Sequence, residues 1–427
     1  MRTTLFALSL VLIMTACQAK TDSVVIVQEG LKNFRLEVEG KSYFANGVGG
    51  SENLELLKKL GGNTIRTWGI DQLDSKIDGM PLLDYAHKLG LKVVAGIWVE
   101  HERHGFDYTD RAQVKEQRKN IRAAVEKYKK HPAILLWGLG NEMEGPANKE
   151  ENKLVLREVN ELAKIVKKED PDHPVMTVIA GLGSSKAAQI EKYCPEIDLL
   201  GINAYAGAKT VAAELAAQGW KKPFMLTEFG PFGHWEVRKT SWGAPIEPNS
   251  QEKADSYLAA HERAVEEGKG QCLGTFAFYW GEKQECTATW FGMFLSTGER
   301  LGTVDAMSYA WSGNFPKNRS PQLHSLESTA ALERIAPQSK QTARVVADDP
   351  DGDKLRYEWV VVAESTDQKI GGDRESRPPS FPELIQSQNE NKVSFTAPTK
   401  SGAYRLFVYV TDNNKNAATA NFPFYVN

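Results

Sequence analysis

The chain has 427 residues, 41% of them hydrophobic, and a formal net charge of -3. That length suits one large domain with a smaller one beside it. A charge so near balance gives no electrostatic reason to expect a nucleic-acid partner and leaves neutral sugars open. Eight scattered histidines and four cysteines make no cluster with zinc spacing, so neither a metal nor another cofactor is expected.

Residues 1–16 carry one charge, Arg2, ahead of the apolar run 5–14. The run is too short to span hydrocarbon as a helix and reads as an export signal. Thr15-Ala16-Cys17 then resembles a bacterial lipobox, with Met14 where leucine is commoner. The resemblance implies a lipid on Cys17, hence a membrane partner, and Gln18 rather than aspartate after it implies the outer membrane. Without residues 1–16 the chain keeps 411 residues (427 minus 16) and a charge of -4, because Arg2 leaves. Cys272 and Cys286 flank a strand candidate and would be held too far apart to bridge easily, so no obligatory disulfide framework is expected with Cys194.

Segments 24–27 and 34–38 read as short strands of a hairpin leading into 44–48. From there apolar strand candidates alternate with helical patterns: 44–48, 63–67, 92–98, 133–139, 175–179, 199–204, 224–227 and 275–280. Ser51 before Leu54, Leu57 and Leu60, stopped by Gly61-Gly62, marks one helix. Leu154, Val159, Leu162, Ala163 and Val166 form the apolar stripe of another. Eight strand-helix repeats imply a closed parallel (β/α)8 TIM barrel more readily than an open sheet. No complete dinucleotide-binding pattern follows Gly47-Val48-Gly49-Gly50.

Composition changes near Asn314: prolines, serines and glutamines make 315–337 a linker or strap. Beyond it, period-two runs at 343–347, 355–362, 392–396, 404–411 and 418–426 indicate a small antiparallel sandwich. The acidic turn 348–353 with Tyr357-Glu358-Trp359 resembles immunoglobulin-like modules of the polycystic-kidney-disease or cadherin type. Calcium prefers six to eight oxygens, so one acidic turn is read as solvated. The expected divisions are a signal at 1–16, a tether and hairpin at 17–42, the barrel at 43–312, a linker at 313–337 and the sandwich at 338–427.

Two strand candidates end in carboxylates, Asn141-Glu142 and Glu228, 86 positions apart (228 minus 142). A barrel assembles its site from the C-terminal ends of several strands, so both can share one cleft. Paired carboxylates suit glycosidic bonds, where an acid protonates the leaving oxygen while a carboxylate attacks or stabilises the cationic carbon. With these residues placed, positions 43–312 resemble the clan A glycoside hydrolases, the superfamily containing families 2 and 5. The resemblance implies Glu142 as acid/base after strand four, Glu228 as nucleophile after strand seven, Arg66 and Tyr205 as supports of the nucleophile, and Trp280 at the end of strand eight.

Flat aromatics suit sugar faces, which makes Trp280 the first candidate subsite, followed by Trp98, Trp235 and Trp242, whereas mid-strand Trp137 reads as core. The loop 234–250 is long enough to wall a groove. The expected activity is a retaining hydrolase of a β-linked glycan, with a β-glucan implied by likeness to bacterial endo-β-1,3-glucanases. A transglycosylase or a non-catalytic glycan-binding lipoprotein would carry the same residues.

Overall fold

The computed structural model describes residues 23–144, 150–369, 371–386 and 391–427. The signal and Cys17 lie outside the described residues. Eight parallel strands close into a barrel: Ala45–Gly49, Thr64–Arg66, Lys92–Ile97, Ile134–Leu139, Val175–Ala180, Leu199–Asn203, Phe224–Phe229 and Cys272–Ala277. Strand order follows chain order around the ring, as each right-handed strand-helix-strand step requires. Both faces of these strands are covered, which is why they read as continuous apolar runs such as the fully buried Ile134–Leu139. The eighth strand lies three residues earlier than its sequence reading of 275–280, and this shift moves Trp280 beyond the strand.

The outer helices bury one stripe each. In Glu150–Glu169, Val159, Leu162, Ala163 and Val166 are buried as expected, while Leu154 is 45% exposed and Val155 takes its place at the start of the stripe. Mid-strand Trp137 is fully buried, as its position implied, and its indole donates to Asp170 at 2.8 Å.

Before the barrel, Val24–Gly30, Asn33–Val38 and Lys41–Tyr43 form a three-stranded antiparallel sheet rather than a lone hairpin. Phe34 N bonds to Gly270 O and Val24 N to Asp172 O, both on segments that enter barrel strands. Leu36 and Val38 pack there against Leu136, Met176 and Leu273. The sheet thus plugs the end of the barrel opposite Glu142 and Glu228.

The C-terminal unit is an all-β sandwich. One sheet orders Arg300–Leu301, Asn416–Val426, Gly402–Thr411, Arg356–Ala363 and Ser380–Phe381; the other orders Gln322–Ser328, Lys340–Asp348 and Lys392–Thr396. Its core includes Trp359, Phe395, Leu406 and Phe424. The sandwich begins before residue 338, because Gln322–Ser328 pairs with Lys340–Asp348 and Arg334–Ile335 pairs with the last strand. Proline and serine content alone had made that stretch read as a linker.

Sandwich and barrel share polar contacts that water does not reach. Arg300–Leu301, following the eighth barrel strand, pairs in parallel with Asn416 and Ala417. Glu247 and Lys253, 6% and 3% exposed, pair at 2.5 Å, and Asn421 of the sandwich donates to Glu247 at 2.7 Å. Arg405 of the sandwich bonds Glu364 and the carbonyl of Pro245. The far end of loop 234–250 is therefore docked on the sandwich.

Removing one member of a buried pair strands the other charge. Glu247→Ala is expected to lower stability by about 3–5 kcal/mol, measured as a fall in denaturant midpoint, whereas removal of the exposed Lys119–Glu116 pair is expected to change it by less than about 1 kcal/mol.

Candidate active site

Gly140 takes a left-handed φ of 72°, and the turn it permits carries Asn141 and Glu142 off the tip of the fourth strand. Glu142 itself sits at φ 56°, a strained region for a residue with a Cβ, and its N–H is anchored on Val178 O at 2.8 Å. Glu228 lies within the seventh strand, 6% exposed.

Arg66, 2% exposed at the end of the second strand, connects Glu228 to Asn141, the neighbour of Glu142. Its Nη1 donates to Glu228 Oε1 at 2.8 Å and its Nη2 to Asn141 Oδ1 at 2.6 Å. Tyr205 donates its hydroxyl to Glu228 Oε2 at 3.0 Å. Trp68 completes the shell, its indole donating to Glu228 Oε1 at 2.9 Å. On the other side Asn203 Nδ2 donates to Glu142 Oε1 at 2.7 Å and to Asn141 Oδ1 at 3.1 Å. The geometry thus brings Arg66, Asn141, Glu142, Tyr205 and Glu228 into one network.

Sequence reasoning placed Trp68 only among the aromatics of the rim, without linking it to Glu228, and gave Asn203 no role. Trp68 stands two residues after Arg66, and Asn203 two before Tyr205, so strand-tip position was the available signal.

The two carboxylates differ electrostatically. Burial, then the nearby charge of Glu228, raises Glu142 to about 7, against a smaller opposing effect from the Asn203 bond. Glu228 accepts three hydrogen bonds, from Arg66, Trp68 and Tyr205. Burial and the adjacent carboxylate push the Tyr205 phenol well above its usual range, keeping it a hydrogen-bond donor.

These residues floor a cleft of about 1450 Å³. Trp98 lines it, with its ring 6.1 Å from and nearly parallel to His104. Trp235, 52% exposed, also lines it and stands perpendicular to Tyr205 at 5.6 Å. Trp280 does not. It is fully buried, edge-on to Phe294 at 5.0 Å and near Trp311, while Phe278 and Tyr279 face the cleft in its place. Trp242 is also displaced: its ring meets Tyr425 and the guanidinium of Arg334, so it serves the barrel–sandwich contact. Both were assigned to subsites because a tryptophan near a strand end or in a long loop does not disclose which side its ring takes.

One wall comes from the sandwich. Residues 371–377 line the cleft and are tied down at several points. Asp373 meets His104 at 3.2 Å and Arg103 at 3.8 Å, Lys283 donates to Gly372 O at 3.1 Å, and Arg377 pairs with Glu282 at 2.5 Å. The acidic turn of the sandwich lies elsewhere. Asp349, Asp353 and Asp412 approach one another, with Asp353 Oδ2 accepting from Asn318 and Asn414 and Asp412 from Asn414 and Asn416.

Residues 53–234 match the family described as glycosyl hydrolases family 2, TIM barrel domain. No curated protein matches the chain. Among solved structures, a Bacteroides uniformis β-glucuronidase aligns at TM-score 0.52 and 15% identity, covering 95% of this chain and 48% of that one. A Bifidobacterium dentium β-glucuronidase complexed with coumarin-3-O-glucuronide aligns at 0.51 and 16%, covering 68% and 49%. A family 2 β-galacturonidase from Eisenbergiella tayi bound to galacturonate aligns at 0.50 and 16%, covering 68% and 54%. The chain spans about half the length of these structures, and at such identity the likeness is one of fold. The family match covers 182 residues of the barrel (234 minus 52), less than half of the chain.

If the charge of Glu228 helps hold the proton on Glu142, Glu228→Gln is expected to lower the Glu142 pKa from about 7, and an unchanged value leaves burial as its cause. A carboxyl carbon NMR titration of the two proteins reads this directly.

Proposed function

We propose that this chain is a retaining β-glycoside hydrolase acting by double displacement, with Glu142 as acid/base and Glu228 as nucleophile. The observation that carries the reading is the division of labour between them: one carboxyl raised to about 7 by burial and a neighbouring charge, the other bonded to a buried guanidinium. A Glu228 oxygen attacks the anomeric carbon as the glycosidic bond breaks, and the leaving oxygen takes the Glu142 proton. Water then attacks the glycosyl ester, giving a proton to Glu142 and releasing Glu228.

Arg66, Trp68 and Tyr205 hold the attacking carboxylate in one orientation, which lowers the entropic cost of reaching the transition state. Asn141 Oδ1 is occupied by Arg66 and Asn203, which turns its amide N–H groups to other partners. A hydroxyl beside the reacting carbon is the natural one, and that bond strengthens as positive charge develops.

The substrate is a neutral β-linked poly- or oligosaccharide, with β-glucan first among candidates. Nine carboxylates and four Lys or Arg side chains line the cleft, a balance that repels an acidic sugar more than a neutral one. For that reason the names of the glucuronidases and the galacturonidase are not carried over to this substrate. The chain is further proposed to be exported and lipid-anchored at Cys17, probed by metabolic labelling with a fatty acid, which Cys17→Ser is expected to abolish. Among the described residues no helix is long and apolar enough to cross a membrane.

Proton NMR of the first product is expected to show the β anomer before mutarotation, and an initial α anomer contradicts double displacement. Glu228→Ala is expected to reduce kcat by about a thousandfold or more, with glycan binding retained.

A further inference from the structure

Loop 234–250 and the loop after the eighth strand each bring a buried polar group to the cleft that the mechanism leaves unused. His234 is 12% exposed at its side chain, and its ring is held edge-on between Trp235 at 4.8 Å and Trp290 at 5.8 Å. Its Nε2 makes no hydrogen bond among the described residues. Glu285 faces it, 8% exposed at its side chain, with Oε1 4.0 Å from that Nε2 and Oε2 3.3 Å from Lys283 Nζ.

A gap of 4.0 Å is too long for a direct hydrogen bond, and Nε2 is closed off from solvent in the free protein, so one oxygen bridges the two atoms at about 2.8 Å only with a small turn of the ring toward the cleft. A hydroxyl suits that place because it donates and accepts at once. Burial lowers the His234 pKa, which favours the neutral ring. The pair also lies toward the nucleophile. The His234 ring lies 4.8 Å from Trp235, which stands 5.6 Å from Tyr205, the residue whose hydroxyl donates to Glu228. The sugar whose anomeric carbon Glu228 attacks occupies that side.

The turn bearing Glu285 is held by the sandwich. Cys286 adopts φ 61°, unfavourable for a residue with a Cβ, and its N–H donates to Glu375 Oε2 at 2.6 Å. Glu375 is 4% exposed, and its other oxygen accepts from Lys369 N at 2.9 Å. One carboxylate therefore fixes both the strap and the Glu285 turn.

We propose that His234 and Glu285 are specificity-determining residues that read one hydroxyl of the reacting sugar, and that Glu375 is a positioning residue acting through Glu285. The proposal rests on the glycosidase reading above. A site built to bond a hydroxyl rejects sugars that lack it or carry it on the other face, because its own buried groups are then left unpaired.

The test measures kcat/KM for aryl β-glucoside, β-galactoside, β-mannoside and β-xyloside with the intact chain, and takes the ratio of the best substrate to the next. Glu285→Gln and His234→Ala are each expected to lower that ratio about tenfold or more, as the preferred sugar loses its advantage. Glu375→Ala is expected to lower it too, and Glu375→Gln, which keeps a carbonyl acceptor, to restore part of it. Thermal melting identifies any variant that does not fold, and His234→Ala then decides alone. Parallel losses on all four glycosides with an unchanged ratio overturn the proposal while leaving the hydrolase intact. Should the wild-type chain turn over no glycoside, including longer β-glucans, the hydrolase reading falls and this proposal with it.

Discussion

The site depends on the buried contact between Arg66 and Glu228. A guanidinium 2% exposed against a carboxylate 6% exposed is costly to desolvate and holds only where every remaining polar atom finds a partner. Here Asn141, Asn203, Trp68 and Tyr205 supply those partners, and they stand at the ends of the fourth, sixth, second and sixth strands. Arg66 also fixes Asn141, the neighbour of Glu142, so the positive group that stabilises one carboxylate positions the residue beside the other. Burial first, and then the charge of Glu228, raises Glu142, against a smaller lowering by Arg66. Stability is thus given up locally for chemistry, and the strained φ of Glu142 belongs to that cost.

The sandwich is more than an appendage. Buried polar contacts at Glu247 and Arg405 seat it on the barrel, and residues 371–377 reach from it to the cleft. Barrel loops after the third and eighth strands grip that strap through Arg103, His104, Glu282 and Lys283. A substrate bound in the cleft therefore meets both units, which couples the geometry of the site to the interface between them.

What the sequence made legible follows from which constraints are local. Strand tips such as Asn141-Glu142 and Glu228 announced themselves because a buried strand is apolar throughout and a carboxylate at its end is an exception. The barrel followed from eight such strands. Ring direction was not legible: Trp68 and Trp280 stand two and three residues past their strands, yet Trp280 is packed behind the sheet and Trp68 bonds Glu228. The role of Asn203 was hidden because asparagine beside a strand end is common, and only closure of the ring brings it to Glu142. Leu154 misled only at the start of its stripe, where Val155 is buried in its place. The strap at 371–377 has loop composition and owes its importance to contacts with residues as far off as His104, 269 positions away in the chain.

The most direct measurement is capture of the covalent intermediate. A panel of 2-deoxy-2-fluoro β-glycosides with good leaving groups slows release of the glycosyl ester more than its formation. Intact mass followed by peptide mapping is expected to find one fluoroglycosyl group, attached to the peptide at Glu228. A label on any other residue, or steady turnover of the parent glycosides with an inverted first product and no label, contradicts the account.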